Sequence, residues 1–115
     1  MIQFCLAIFI CTFCVSVGGD EIKNILSKMD VTDKCGQMTQ ITIDVVQKDE
    51  FLLNEDPIDI IKLKEAIQVY KIGSLQNTPN TVAQKGEIWQ TIIKHIHDIS
   101  LNTSLKIPLI YGKFR

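Results

Sequence analysis

The sequence predicts an α/β domain built on a parallel sheet. Three observations point there. Short β-branched apolar runs alternate with amphipathic helical stretches, which is the pattern of βαβ units. The 115 residues give length for one domain. Hydrophobic residues make up 46% of the chain, which excludes a disordered polar tail. The formal net charge is −1, from 12 Lys and Arg against 13 Asp and Glu. That balance leaves no electrostatic footprint for nucleic acid or for an anionic membrane surface.

The hydrophobicity is unevenly spread. Residues 1–18 hold 14 apolar side chains and no charged one. Residues 4–17 are apolar except for Thr12 and Ser16. This run is shorter than the roughly 20 residues a bilayer needs. Gly18, Gly19 and Asp20 follow it. A short apolar run ended by small residues reads as a secretory signal peptide over 1–18, with cleavage near Gly18 or Gly19. No Lys or Arg precedes the run, so the α-amino group supplies the positive charge. Residues 19–115 then form the mature portion.

Cys5, Cys11 and Cys14 leave with the signal, and Cys35 stays. The chain is therefore not a disulfide-stapled scaffold, although the compartment permits disulfides. Cys35 reads as a small buried hydrophobe. Asn102-Thr103-Ser104 is a glycosylation acceptor for a chain on the secretory route.

The elements follow in order. Ile22, Ile25, Leu26 and Met29 have i, i+3, i+4, i+7 spacing, so residues 21–29 predict a short amphipathic helix. Thr32 is the expected N-cap of one or two further turns ending at Met38. Residues 40–46 are rich in β-branched side chains and predict a strand. Residues 47–56 are polar and predict a loop, pinned by Phe51, Leu52 and Leu53. Asp56-Pro57 predicts a helix start, with Asp at the N-cap and Pro at the first helical position. In that helix Ile60, Leu63, Ile67 and Tyr70 form a stripe. Ile61 and Val69 fall off it, which predicts burial on more than one side.

Residues 72–75 predict a buried strand closed by a polar loop over 76–80. A long helix is predicted over 82–101. Its residues Ile88, Trp89, Ile92, Ile93, Ile96 and Ile99 cover one arc at about 100° per residue. Residues 102–106 form its exit. Residues 107–111 predict a last strand, with Pro108 near its start, where a strand tolerates it.

Little here carries chemistry. His95 and His97 point roughly 160° apart on a helix and cannot share one ion. Asp56 and Asp59 read as a cap and a first-turn acid favoured by the helix dipole, not as paired catalytic carboxylates. Lys48, Lys62, Lys64, Lys71 and Lys85 are interspersed with acids and read as a solvated face. Gly73 and Gly112 are isolated, so there is no phosphate-cradling loop. No cofactor and no metal site are implied.

A resemblance adds to this. The segment from Met29 to Gln40, with Asp33, Lys34, Gly36, Gln37 and Met38, resembles the opening of glycoside hydrolase family 3. Cys35 stands where the family carries Ile or Val. Ile72-Gly73-Ser74-Leu75 resembles the family's second barrel strand. Trp89 sits where members often carry an aromatic, and residues 107–112 resemble the third strand. Together these blocks cover about residues 21–112.

The resemblance implies a (β/α)₈ barrel and a retaining mechanism, with an Asp nucleophile and a Glu acid/base. It implies a β-glucoside or oligosaccharide substrate, in the lysosomal lumen or outside the cell. Such a barrel needs about 250 residues, so this chain is expected to be an incomplete barrel fragment of about three strands. Members continue after the third-strand Gly with one residue, an Asp that binds sugar hydroxyls, and then His-Gly. Here Phe114 takes the place of that Asp. No catalytic position carries over, and the chain is expected to be inactive alone. The strand C-terminal ends, near Gln40, Gln76 to Asn77 and Gly112, would line the mouth of the complete barrel. Two alternatives come from the residues themselves: a non-enzymatic secreted α/β interaction module, and a small membrane protein retaining residues 1–17 as its anchor. A cleaved product has no stable membrane association.

Overall fold

The structure is a computed structural model that describes residues 19–52 and 55–112. The apolar segment ending at Gly18, the anchor alternative, Leu53 and Phe114 lie outside those residues. Residues 19–28 are helical (α1). Then come helix α2 (Val31–Gln37), strand β1 (Gln40–Thr42) and a 3₁₀ turn (Ile43–Val46). Helix α3 (Ile60–Lys64) runs on as a π-helical stretch (Glu65–Val69) into strand β2 (Ser74–Gln76). A second 3₁₀ turn (Pro79–Thr81), helix α4 (Gly86–Leu101) and strand β3 (Ile110–Gly112) complete the order.

The three strands form one sheet in the order β1-β2-β3, and both pairings are parallel. Ile41, Leu75 and Tyr111 share one register row. Leu75 is fully buried, and Ile41 and Tyr111 pack against the core. Helices α3 and α4 touch each other as well, so both crossovers lie on the sheet face that carries this row. The core there is aliphatic: Ile43, Val46, Leu63, Leu75 and Ile92 are all at 0% exposure. The alternate row points to the other face. Gln40 and Ile110 on that row are exposed, Ile110 at 71%. Parallel sheets are normally covered on both faces, and the described residues cover one.

Helix α2 is fixed by its ends. Asp30, not Thr32, is the N-cap. Its Oδ1 accepts from the Asp33 amide at 2.7 Å, and Asp33 Oδ2 accepts from the Asp30 amide at 3.0 Å. This reciprocal capping box satisfies two otherwise orphaned donors, which a cap at Thr32, two residues further on, cannot do. The rotation so set buries Asp33 and Gly36 and leaves Cys35 exposed. The buried reading of Cys35 is therefore wrong.

The helix end meets the α3–β2 connection at backbone level. A Cβ on Gly73 would overlap the Gln37 carbonyl oxygen and lie 2.7 Å from its carbon. A Cβ on Gly36 would overlap the Lys71 carbonyl and lie 2.7 Å from that of Tyr70. Gln37 Nε2 donates to the Lys71 carbonyl at 3.3 Å. Lys71 Nζ reaches Asp33 Oδ1 at 2.6 Å and Asp30 Oδ2 at 3.8 Å.

Several expected boundaries move. The strand predicted over 40–46 stops at Thr42 and tightens into the 3₁₀ turn. Asp44 there accepts from the Asn80 amide at 3.2 Å, a tertiary bond that holds the bend. Helix α3 starts three residues late. Asp59 caps it, accepting from Ile61 and Lys62 amides at 2.9 and 3.2 Å. Asp56 instead closes a local turn on the Ile58 amide, while buried Pro57 offers its carbonyl to Lys48. Ile61 and Val69 are 78% and 61% exposed, so α3 is buried on one side only. Tyr70, predicted on the stripe, is 63% exposed. The π-helical stretch, with Tyr70 N bonded to the Glu65 carbonyl, adds a residue to the turn and swings it outward.

Helix α4 begins at Gly86, not at residue 82, because Val82 is extended and Lys85 is the N-cap. Its stripe holds at Ile92, Ile96 and Ile99, while Ile93 is 43% exposed. Strands β2 and β3 lie two and three residues further on than predicted. In α1, Ile22 and Leu26 are 60% and 48% exposed, so the predicted helix forms with its apolar stripe largely uncovered. Leu52 is exposed and pins nothing, whereas Phe51 is half-buried.

Two expectations follow. Gly73→Ala should cost about 1–3 kcal/mol, read as a fall in the urea midpoint with unchanged slope. The second concerns pH. The Lys71 ammonium, and after it the Asp30 amide, hold the Asp33 carboxyl below the ordinary carboxylate range. Near pH 3.9 and below, the unfolded chain takes up a proton that the folded chain resists. This stability is complete above the ordinary carboxylate value and is lost as pH falls through the lowered one. Asp33→Asn should therefore flatten the acid limb of a stability–pH curve measured by denaturant titration.

Candidate functional site at the strand C-terminal ends

The C-terminal end of β1 is Thr42, two residues past the expected Gln40. It stands beside Gln76 and Gln76 beside Gly112 in the register. Two loops rise from this edge, the turn after β1 and residues 77–82. They are tied together: Asp44 Oδ1 accepts from the Asn80 amide, and Gln47 Nε2 donates to Asn80 Oδ1 at 2.8 Å. Asn77 and Asn80 both adopt positive φ, 72° and 49°. Asn tolerates this left-handed region better than most residues.

Asn77 is held from both sides of its peptide. Its amide donates to the Gly112 carbonyl at 3.2 Å, and its carbonyl accepts from the Tyr111 hydroxyl. Burial raises the Tyr111 phenol above its ordinary value, which keeps it a donor. The Tyr111 ring sits against Trp89, with centroids 5.6 Å apart and planes at 49°. Periodicity alone places Trp89 in the helix arc. It does not connect Trp89, Tyr111 and Asn77 into one chain of contacts. The rim is thus polar and pre-shaped, with carboxamide groups and a carboxylate, and among the described residues it brings no acid–base pair together.

The remaining candidates lie elsewhere. His97 is exposed. His95 is half-buried, its Nδ1 3.4 Å from Asp56 Oδ2 but outside hydrogen-bonding geometry. No group of three metal-ligating side chains comes together among the described residues. Asn102 is the exposed C-cap of α4, and its Nδ2 donates to the Asp98 carbonyl at 2.8 Å. The lysines are not one solvated face. Lys71 is bound to Asp33, Lys62 reaches Asp49 at 2.7 Å, and Lys48 Nζ donates to the Asp56 carbonyl. Lys64 and Lys85 are exposed.

A hollow of about 250 Å³ lies at the other end of the sheet, lined by Gln37, Lys71, Ile72, Ser100, Leu105 and Leu109. These residues precede or flank the strand N-termini, the end that serves stability in barrel folds. No described helix is long and apolar enough to cross a membrane.

No family model matches the chain. The chain is similar to a lysosomal beta glucosidase of Dictyostelium discoideum, 34% identical over 99 residues. The match takes in 79% of this chain and 12% of that protein. The chain is thus related to a segment of a β-glucosidase and spans about an eighth of the relative's length.

Tyr111→Phe should leave the Asn77 carbonyl without its donor. The expected loss is about 1 kcal/mol, with the largest change in amide hydrogen exchange at residues 77–80.

Proposed function

We propose that this chain forms the first three strands of a family 3 β-glucosidase barrel, acting on a β-glucoside or oligosaccharide in the lysosomal lumen or outside the cell. The observation that carries the reading is the 34% identity over 99 residues to the lysosomal beta glucosidase. The sheet supports it. Strand order β1-β2-β3 with both crossover helices on one face is compatible with the winding of a barrel. Blocks of the resemblance also meet in space, Gln37 lying against Gly73.

In such a barrel the uncovered sheet face, with Thr42, Gln76 and Gly112 at its upper edge, turns inward toward the other strands. The rim at the strand C-terminal ends then forms part of the mouth. It shapes the approach of the sugar and does no proton transfer itself. The nucleophilic Asp and the acid/base Glu of the retaining mechanism belong to polypeptide beyond these residues.

The purified 115-residue chain should not turn over an aryl β-glucoside above a mock preparation. The full product of the native gene should do so, with the β configuration retained in the first-formed sugar by NMR. Turnover by the short chain, or inversion by the full product, would contradict the proposal.

A further inference from the structure

Helix α4 ends at Asn102, and the chain turns there toward the start of β3. The turn is closed by its own backbone. The Asn102 amide donates to the Ile99 carbonyl and the Thr103 amide to that of Ser100, each at 3.2 Å. The Lys106 amide donates to the Thr103 carbonyl at 3.3 Å. Thr103 Oγ1 donates to the Ser100 carbonyl at 2.7 Å, while Asn102 and Ser104 on either side of it are exposed. Among the asparagines of the sequence, Asn102 alone has a hydroxyl residue two places on. The residue between them is not proline, so triplet and exposure together meet what N-linked glycosylation requires.

We propose that Asn102 carries an N-linked oligosaccharide, set at the end of the sheet opposite the rim; the inference rests on the lumenal or extracellular location proposed above and not on the barrel. Two features of the structure go beyond the triplet. The first is the carboxamide. Its nitrogen has two hydrogens, and Nδ2 donates to the Asp98 carbonyl at 2.8 Å. In the transfer, Asn102 Nδ2 attacks the anomeric carbon of an oligosaccharide held on a lipid diphosphate. The N–C bond forms, the C–O bond to the diphosphate breaks, the lipid diphosphate leaves, and the nitrogen gives up one proton. The other proton stays, so the glycosylated nitrogen can keep its bond to Asp98 and the helix end keeps its cap. The second feature is placement. Asn102, Thr103 and Ser104 line the hollow of about 250 Å³, together with Gln37 and Lys71, at the strand N-terminal ends. Thr42, Gln76 and Gly112 lie at the opposite ends of the strands. A hydrated sugar chain on Asn102 therefore leaves the rim uncovered.

The full 115-residue chain is made in cultured eukaryotic secretory cells. Its location is read by recovery from the medium or from membrane-enclosed, protease-protected fractions. Its modification is read with peptide N-glycosidase in oxygen-18 water and peptide mass spectrometry. A protected or secreted chain is expected, with a mobility shift that the glycosidase removes and oxygen-18 entering at position 102. Ser104→Ala should cut the glycosylated fraction at least tenfold. Ser104→Thr and Thr103→Ala should keep it, which separates loss of the acceptor from loss of the fold. A secreted or protected chain without sugar overturns this inference and leaves the location standing. A chain found only in the protease-accessible cytosol overturns both. Placement is read separately, by amide hydrogen exchange on the glycosylated chain and on Ser104→Ala. The two should agree at residues 77–80, with differences confined to the end of α4 and the turn after it. A response at the rim overturns the placement.

Discussion

The backbone of residues 36–37 lies against the backbone of residues 71–73 more closely than any side chain would permit. This contact joins the helix before β1 to the start of β2, and the first strand pairing follows from it. The Thr39 carbonyl accepts from the amides of both Gly73 and Ser74, which sets the register that pairs Gln40 with Ser74. The Gly73 carbonyl in turn accepts from Ile110, passing the register to β3. Hydrogen bonds alone would hold such a crossing loosely. Glycine at both positions lets two peptide planes come together, and the Asp33–Lys71 pair closes the remaining side. Lys71 adopts a positive φ of 57° while its carbonyl meets Gln37, so the local cost there is offset by several contacts at once.

This placement gives the residues of the family resemblance a physical role. Asp33, Gly36, Gln37 and Gly73 sit at the strand N-terminal ends, away from the rim at the opposite end of the sheet. They are packing residues. A recognisable sequence pattern is therefore compatible with the absence of any acid–base pair among the described residues. The functional statement the chain supports is about shape: one face packed by helices, one face open, and a polar rim tied together by Asp44, Asn77, Asn80 and Tyr111.

Much of the fold was legible in the residues. The alternation of elements, the aliphatic stripe of α4 and the parallel sheet all follow from periodicity, which is a local signal. Element ends were less legible. Thr32 and Asp30 are both N-cap residue types, as are Asp56 and Asp59, and the choice depends on where the chain enters. The rim was the least legible, because its ties run between residues far apart in sequence. Nothing near Asn77 announces that Tyr111 will hold its carbonyl, and nothing near His95 announces Asp56.

By itself the sequence determined the order of helices and strands and the apolar faces they carry, because both depend on neighbours within a turn or two. Tertiary structure alone decided which lysines pair with which acids, which glycines have no room for a Cβ, and that Cys35 faces outward. It also decided that both crossover helices share one side of the sheet. Those outcomes depend on how separate elements dock. Docking is governed by the shape and closeness of surfaces brought together across the chain, which no local spacing encodes.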